Sequence, residues 1–142
     1  MQNLQDQVFL NHIGGQWVPA STGTTYANVN PADVRDVVGN FQDSVEADAL
    51  AAVEAAASAF ATWRRTPIGK RAALLMKAAE LLDERADQIA EELTREEGKS
   101  LALARGEVQR SAETLRFYAI EGQTYTGETF PQDDADMIVY TQ

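Results

Sequence analysis

ADALAAVEAAASAFATWRRTPIGKRAALLMKAAELLDERADQIAEELTREEGKSLALARGEVQRSAETLRFYAIEGQ, residues 47–123, is the stretch that decides the fold. Its apolar residues recur at intervals of three and four, which places their side chains on one face of an α-helix. The pattern is interrupted at Thr66 and again at Gly98. The stretch therefore predicts three helical units, the second of which is long enough to be bent or divided at Asp83 or Glu84.

Start and stop signals support these boundaries. Ser44, Thr66 and Ser100 carry hydroxyl oxygens that can accept a hydrogen bond from a free backbone N–H group at a helix start. Pro67 suits the first helical position, which needs no N–H donor. Gly98 tolerates the left-handed backbone that commonly ends a helix. We therefore expect helices to begin after the three hydroxyl residues and one helix to end at Gly98.

Three apolar stripes define the helix faces that we expect to be buried. The first stripe ends in two large aromatic side chains, Phe60 and Trp63, which are expected to anchor it in a core. Alanine is frequent in the stripes, and its small side chain lets helices or a sheet approach closely. The stripes are Ala49, Ala52, Val53, Ala56, Phe60 and Trp63; Ala72, Leu75, Ala79, Leu82, Ile89 and Leu93; and Val108, Ala112, Leu115 and Ala119.

The sequence pattern of residues 1–43 predicts strands and not helices. Phe9–Val18 reads as two short strands around Gly14-Gly15, and adjacent glycines adopt the positive backbone angles that a tight hairpin turn demands. Two hairpins alone cannot bury enough apolar surface to persist in water. We therefore expect these strands to cover the helices and not to form a separate domain.

A second pair of strands is predicted at Thr25–Val29 and Asp36–Phe41. The residues between them, 30–33, read NPAD, and Asn, Pro and Asp all favour turn geometry. Gly39 predicts either a bulge or the end of the strand.

The pattern changes again towards the C-terminus. Residues 123–131 are rich in turn-forming residues, and Met137–Thr141 reads as a strand. No partner strand is evident, and an unpaired strand exposes hydrogen-bonding groups that invite association with another strand. The fold class is therefore α+β, and self-association is expected through the C-terminal strand and the apolar helix faces.

Composition excludes several classes of function. The 142 residues include 12 Lys and Arg against 22 Asp and Glu, a formal net charge of -10, so no nucleic-acid partner is expected. The absence of cysteine excludes disulfides, thiolate nucleophiles and Cys-based zinc sites. No apolar run approaches the ~20 residues that span a bilayer, and the first residues lack the features of a secretory leader. We therefore expect a cytoplasmic chain with no membrane partner.

Two motifs near the end of the second helical unit resemble functional sites. Glu96 and Glu97 are neighbouring carboxylates, but adjacent helical residues point about 100° apart, so they do not converge on one atom. The run GKS at 98–100 matches the end of a phosphate-binding loop, yet that pattern requires a glycine at the position of Leu93. We reject both motifs as active or phosphate sites.

The acidic loop 133–136 and His12 also lack residues that a metal site or a catalytic base would require. The acidic loop 133–136 has neither the glycine nor the distal glutamate of a calcium-binding EF-hand loop. His12 lies beside the predicted hairpin turn and has no evident partner that would orient it as a base. We therefore expect no catalytic residue, no cofactor-binding residue and no metal ligand in this chain.

Four segments, in this order, resemble the N-terminal portion of the NAD(P)-dependent aldehyde dehydrogenase superfamily. They are FLNHIGGQWV (9–18), NVNPADVRDVVG (28–39), the run from AVEAAASAF to EEGK (52–99) and ARGEVQRSAETLRFYAIEG (104–122). Within them, NPADVRDVVG and TREEGKS are most similar to the branch that oxidises semialdehydes such as 2-oxoglutarate semialdehyde.

The resemblance implies that the parent enzyme has an α/β fold and oxidises an aldehyde with NAD or NADP. Residues 1–123, with hairpins at 1–43 and helices at 44–123, would form the N-terminal part of the dinucleotide-binding domain. Residues 124–142 would begin an oligomerisation β-arm. The family's catalytic cysteine, general-base glutamate, asparagine and cofactor-phosphate loop lie downstream of the matched segments. The resemblance thus implies that this chain by itself binds no cofactor and is inactive.

Some family members also have a structural site for a monovalent cation, formed by carbonyls near the NxNP segment and an acid in the EEGK segment, and the matching residues here are Asn28, Val29 and Glu96. The family acid is often Asp, so Glu96 departs from the pattern. Two other hypotheses remain open on the residues alone. One is a free-standing, non-catalytic helical module for binding or oligomerisation, and the other is a small acidic enzyme with a carboxylate site.

Overall fold

The computed structural model describes residues 7–124 and 127–141 and confirms the α+β fold. The strands are β1 (Val8–Phe9), β2 (Asn11–Ile13), β3 (Gln16–Val18), β4 (Thr25–Asn30), β5 (Asp33–Gln42), β6 (Thr129–Phe130) and β7 (Val139–Tyr140). The helices are α1 (Glu46–Trp63), α2 (Ile68–Glu84), α3 (Ala86–Glu97) and α4 (Leu101–Thr124). Strands therefore lie towards both ends of the described chain, and the helices lie between them.

The first predicted hairpin forms between β2 and β3. Gly14 and Gly15 have φ angles of 59° and 80°, a left-handed backbone that side chains other than glycine's rarely adopt. The segment before it differs from the prediction, because β1 is a separate strand that pairs in parallel with β5. This pairing places Phe9 beside Phe41, with ring centroids 4.7 Å apart.

Strand β5 is the centre of a three-stranded sheet with the order β1-β5-β4. Its antiparallel pairing with β4 passes from Asn28 opposite Gly39 to Val29 opposite Val37. Val38 is thus the extra residue of a bulge, next to the glycine at which the sequence predicts one. The strand does not end there, since it continues to Gln42.

Most helix boundaries agree with the predicted signals. Gly98 ends α3 with a φ of 77°, and the hydroxyl of Ser100 accepts a bond from the N–H of Leu103 at 3.4 Å. The long second unit is divided after Glu84, where Arg85 separates α2 from α3. The predicted joint at Asp83 or Glu84 is therefore confirmed.

Two predicted caps are wrong. The N-cap of α1 is Val45, not Ser44, because the carboxylate of Asp48 accepts the Val45 N–H at 2.9 Å. A carboxylate forms a stronger, charge-assisted bond to a backbone N–H than a hydroxyl does. The N-cap of α2 is Pro67, while the Thr66 hydroxyl donates to a carbonyl of the preceding turn.

Alanine side chains form most of the core between α2, α3 and α4. Such small side chains leave little space between helix axes, so α4 lies close to both α2 and α3. This arrangement confirms that the second and third predicted stripes face a core. Among the described residues, the buried apolar ones are Ala20, Ala72, Ala79, Ala90, Ala104, Val108, Ala112 and Ala119.

Helix α1 is the exception, because its apolar stripe is exposed. Phe60 is 57% exposed and Trp63 is 42% exposed, so the expectation that they anchor the helix in a core is wrong for the described residues. The one buried residue on α1 is the capping Asp48. Within the described ranges, no helix is long and apolar enough to cross a lipid bilayer.

The predicted C-terminal strand is present as β7 but is shorter than expected, and it is not unpaired. It forms an antiparallel hairpin with β6, in which Thr129 faces Tyr140 and Phe130 faces Val139. The turn-rich segment before it therefore contains the missing partner strand. All four of these residues are exposed.

Candidate functional site

The end of α3 packs on strand β5, and a partly buried ion pair between Arg95 and Asp36 joins the helix to the strand. Arg95 donates from Nε to Asp36 Oδ2 at 2.9 Å and from Nη2 to Asp36 Oδ1 at 2.6 Å. The same Nη2 donates to the carbonyl of Val37 at 3.2 Å. Asp36 also accepts a bond from Asn30 Nδ2 at 3.2 Å. This bidentate arrangement holds helix and sheet in one relative position.

The charge of Asp36 is strongly favoured in this arrangement. The hydrogen bonds from Arg95, followed by the bond from Asn30, lower the pKa of Asp36 from 3.8 to about 2. The same pair raises the pKa of Arg95. A carboxylate that stays ionised and is fully engaged by a guanidinium cannot exchange protons near neutral pH. The pair is therefore structural and does not supply an acid or a base.

Two of the residues that the family resemblance assigns to a cation site lie together. Asn28 Nδ2 donates to Glu96 Oε1 at 3.4 Å. The resemblance assigns carbonyl oxygens near Asn28 and Val29 to the cation, and this side-chain contact does not involve them, so the cation site stays a prediction. Among the described residues there is also no group of three or more His, Cys, Asp and Glu placed to hold a metal ion.

A cleft of about 460 Å³ lies between the sheet and α3. The stacked rings of Phe9 and Phe41, with Val38, form its apolar side. Glu92 and Glu96 line the helix side, where Glu92 accepts a bond from Gln88 at 2.8 Å. The residues that line the cleft include no nucleophile paired with a base. We therefore interpret the cleft as a surface where the sheet and α3 pack together.

Lys99 joins the end of α3 to α4. Its Nζ lies 2.6 Å from Glu97 Oε2 and 2.6 Å from Glu107 Oε2, and its side chain is 17% exposed. The bond to Glu107 and then the bond to Glu97 raise the pKa of Lys99. A lysine neutralised by two carboxylates does not attract a phosphate group. The two ion pairs tie the end of α3 to α4 through Lys99.

The remaining singled-out residues lie apart from one another. His12 contacts Trp17, with ring centroids 4.8 Å apart on the exposed hairpin β2–β3. In the acidic loop, Asp134 Oδ1 accepts the Asp136 N–H at 3.0 Å, which makes a local turn. His12 lines a cavity of about 230 Å³ together with Ser44 and Asp48. The Ser44 hydroxyl accepts a bond from Asn11 Nδ2 at 2.8 Å, and the Asp48 carboxylate accepts the Val45 N–H at 2.9 Å, so both groups are engaged by other partners. That the chain has no catalytic, cofactor-binding or metal residue stays a prediction.

Sequence reasoning missed two structural contacts. Arg95 and Asp36 are 59 residues apart, and no local pattern links an arginine on a helix to an aspartate on a strand. Asp48 has a recognisable signal, because an acidic residue three positions after Val45 occupies the N3 site of a capping box. Its second acceptor oxygen binds the N–H of Ser21 at 2.8 Å, which only the fold brings near.

Comparisons with known proteins match the chain to one family. The model of the aldehyde dehydrogenase family matches residues 17–142. An alpha-ketoglutaric semialdehyde dehydrogenase of Bacillus subtilis is 39% identical over 137 residues, 96% of this chain and 28% of that protein. A malonate-semialdehyde dehydrogenase of Bacillus pumilus is 41% identical over 125 residues, 88% of this chain and 26% of that protein.

A solved structure gives the same result in three dimensions. The NAD-dependent aldehyde dehydrogenase from Sinorhizobium meliloti superposes with a TM-score of 0.86 at 28% sequence identity. The superposition covers 95% of this chain and 27% of that one. The chain thus spans little more than a quarter of the length of the proteins that it matches.

Proposed function

Because the chain belongs to the aldehyde dehydrogenase family, we propose that it supplies the N-terminal part of an enzyme that oxidises an aldehyde to a carboxylate. The observation that carries the proposal is the extent of the similarity, since 96% of the chain aligns with one semialdehyde dehydrogenase. The oxidant is NAD or NADP. The substrate class is a semialdehyde, with the 2-oxoglutarate semialdehyde branch first and malonate semialdehyde second.

The chemistry of this proposal requires residues that the chain does not contain. In the family, a cysteine thiolate bonds to the aldehyde carbon, NAD(P)+ would accept the hydride from that carbon, and water would cleave the resulting thioester to release the carboxylate and the thiolate. The 142 residues include no cysteine. The chain alone therefore lacks the nucleophile, and its role is to build part of the scaffold that presents the nucleophile and the cofactor to each other.

The proposed domain roles rest on the resemblance to the family. Residues 1–123 form the N-terminal part of the dinucleotide-binding domain, and residues 124–142 begin an arm that joins subunits. The hairpin of β6 and β7 supports the second role, because its side chains are exposed. Ile138 is 79% exposed and Tyr140 is 58% exposed, which favours burial against another surface.

A chimaeric enzyme tests the proposal. Residues 1–142 replace the aligned N-terminal segment of the Bacillus subtilis relative, and oxidation of alpha-ketoglutaric semialdehyde is followed by NAD(P)H absorbance. We expect the chimaera to oxidise the semialdehyde, since the replaced scaffold has the same fold. The isolated 142-residue chain, assayed in parallel, is expected to show no aldehyde-dependent reduction of NAD+ or NADP+.

Controls separate a folding failure from a wrong proposal. A cooperative melting transition shows that the chimaera is folded, and a version with the catalytic cysteine of the relative replaced by alanine sets the background rate. A folded chimaera with no activity above that background would contradict the proposal and favour the non-catalytic module. Turnover by the isolated chain, after removal of any full-length enzyme, would contradict the assigned scaffold role.

We also expect the isolated chain to self-associate through the β6–β7 hairpin and the exposed face of α1. Replacing Ile138 with aspartate should shift the light-scattering mass towards the monomer, because a charge is costly to bury in an apolar contact. Gln132→Asp adds the same charge at an exposed polar position of the same hairpin and should leave the mass unchanged. A parent chain that is monomeric at every concentration tested would rule out this association.

A further inference from the structure

Helix α1 is attached to the rest of the fold near its start. Asp48 is its buried residue and Ala52 and Ala55 are half-buried, whereas every other residue of the helix is exposed. Ala52 lines a cavity with His12 of β2, and a Cβ on Gly14 would lie 3.8 Å from Cβ of Ala55. The two alanines therefore face the β2–β3 hairpin, and alanine contributes little apolar surface to such a contact.

Asp48 supplies the polar part of this attachment. Its carboxylate accepts two N–H groups from different segments, that of Ser21 at 2.8 Å and that of Val45 at 2.9 Å. Ser21 lies in the connection between β3 and β4, so one oxygen binds the layer formed by strands β1–β5 while the other caps the helix. The carboxylate thus joins α1 to this strand layer.

A second buried side chain continues the network into the sheet. Gln42, at the end of β5, accepts the N–H of Ala20 at 2.8 Å and donates to the carbonyl of Phe9 at 2.9 Å. Among the described residues, Gln42 and Asp48 are the buried polar ones. The bonds to Asp48 are charge-assisted and those to Gln42 are not. Loss of the charge on Asp48 therefore weakens the attachment of α1 and leaves the bonds of Gln42 in place.

The hydrophobic core lies away from this attachment. The buried cluster of Ala90, Ala104 and Val108 is packed by residues of α3 and α4, and in the described part of the chain it includes none from α1. Segments that share few buried contacts with a core open at a lower free energy than the whole protein does. The packing therefore allows α1 to open while α2, α3 and α4 stay together.

We propose that the Asp48 carboxylate is the link that fixes α1 on the strand layer, and that breaking this link lets α1 open as a separate unit while the core of α2, α3 and α4 stays folded. The link is independent of the proposed dehydrogenase activity, because it involves neither the catalytic cysteine nor the cofactor. The two proposals can therefore fail separately.

The chemistry of the link makes it sensitive to acid. The bonds from Val45 and then from Ser21 lower the pKa of Asp48 below its usual value of 3.8. The attachment is therefore fully present above that usual value and is lost as the pH falls through the lowered pKa. No other titratable group forms an ion pair with Asp48 in the described part of the chain. Those nearest along the chain or across the cavity are His12 on β2, Asp43 before α1 and Glu46 in its first turn.

Amide hydrogen exchange of the 142-residue chain, measured residue by residue by NMR near neutral pH, tests the link. Asp48→Asn keeps the shape of the side chain but replaces one acceptor oxygen with an N–H donor. We expect exchange in residues 50–63 to accelerate at least about tenfold, while amides of α2 and α4 change by less than about twofold. Two protein concentrations are compared, because protection that arises from self-association depends on concentration.

Glu46→Gln is the matched control. It removes the same charge from the same helical turn, at an exposed carboxylate that does not bind the strand layer. This control should accelerate exchange in α1 much less than Asp48→Asn does. If the two variants accelerate it equally, the effect belongs to the charge at the helix start, and the link is refuted. The link is also refuted if Asp48→Asn fails to fold or accelerates exchange in α1, α2 and α4 alike.

A pH series on the parent chain provides a second measurement. Protection of α1 should fall between about pH 5 and about pH 3, and the difference from Asp48→Asn should shrink over the same interval. His12→Gln should keep this response. A response that is lost in His12→Gln, or that persists unchanged in Asp48→Asn, would assign the acid sensitivity to another group and overturn the proposal.

Discussion

Replacing Gly98 with alanine is expected to lower the free energy of unfolding by about 2–4 kcal/mol, the largest effect of any single change considered for this chain. Gly98 has a φ of 77°, where a side chain adds backbone strain. A Cβ at this position would also lie 2.9 Å from Cγ of Pro31 and 3.6 Å from the N of Ala32. The backbone strain and the steric overlap both act at the contact between α3 and the β4–β5 turn.

Urea unfolding followed by circular dichroism measures the change, and Gly106→Ala is the matched control. Gly106 lies inside α4, and a Cβ there meets no atom within 4 Å. Because alanine favours a helix interior, this control should raise stability by about 0.5–1 kcal/mol. Similar losses in the two variants would contradict the account. Pro31→Ala combined with Gly98→Ala should recover the steric part of the loss and leave the backbone part.

The second large effect is expected at Gly39. A Cβ on Gly39 would lie 2.4 Å from Cε2 and 2.9 Å from Cδ2 of the Phe9 ring. The ring cannot move away freely, because it is stacked on Phe41 at a centroid distance of 4.7 Å. Gly39→Ala should therefore lower the free energy of unfolding by about 1–3 kcal/mol through overpacking.

A double-mutant cycle separates this clash from a general effect on the strand. Phe9→Leu alone should destabilise the chain, because it removes the stacked pair. In the Phe9→Leu background, however, Gly39→Ala should cost much less than in the parent chain, since the smaller side chain vacates the contact. Strictly additive losses would show that Gly39 is required for the backbone of β5 and not for the approach of Phe9.

The helices are the part of the fold that could be predicted from local sequence. The end at Gly98, the start after Ser100 and the break after Glu84 all depend on residues within one helical turn of the boundary. The predicted starts of α1 and α2 are wrong, because the choice of N-cap depends on more than the hydroxyl residue that precedes the helix. At α1, a carboxylate on the helix competes with the preceding hydroxyl, and the outcome depends on which oxygen reaches the free N–H groups.

The strands were harder to predict because their partners are distant in sequence. The hairpin at Gly14 and Gly15 is local and was found. The parallel pairing of β1 with β5 joins residues more than 30 positions apart, and the partner of β7 lay unrecognised in a turn-rich segment. Short strands of two residues carry too little alternation to be distinguished from a loop.

The features of the candidate site can also be divided into those that the sequence predicts and those that depend on the tertiary structure. The absence of cysteine is a property of the sequence, and it alone excludes a thiolate nucleophile in this chain. That Asp36 is held ionised by Arg95 and that Lys99 is neutralised by Glu97 and Glu107 depend on the tertiary structure. No spacing rule connects these groups.

The sequence by itself determined the helices, their apolar faces and the family to which the chain belongs. The helices and their faces follow from short-range rules, namely the repeat of apolar residues and the backbone freedom of glycine, and the family follows from the order of four segments along the chain. Only the tertiary structure decided which apolar faces are buried. The stripe of α1 satisfies the helical pattern as well as that of α2, yet it stays exposed among the described residues, because burial depends on what packs against a face and not on the face itself.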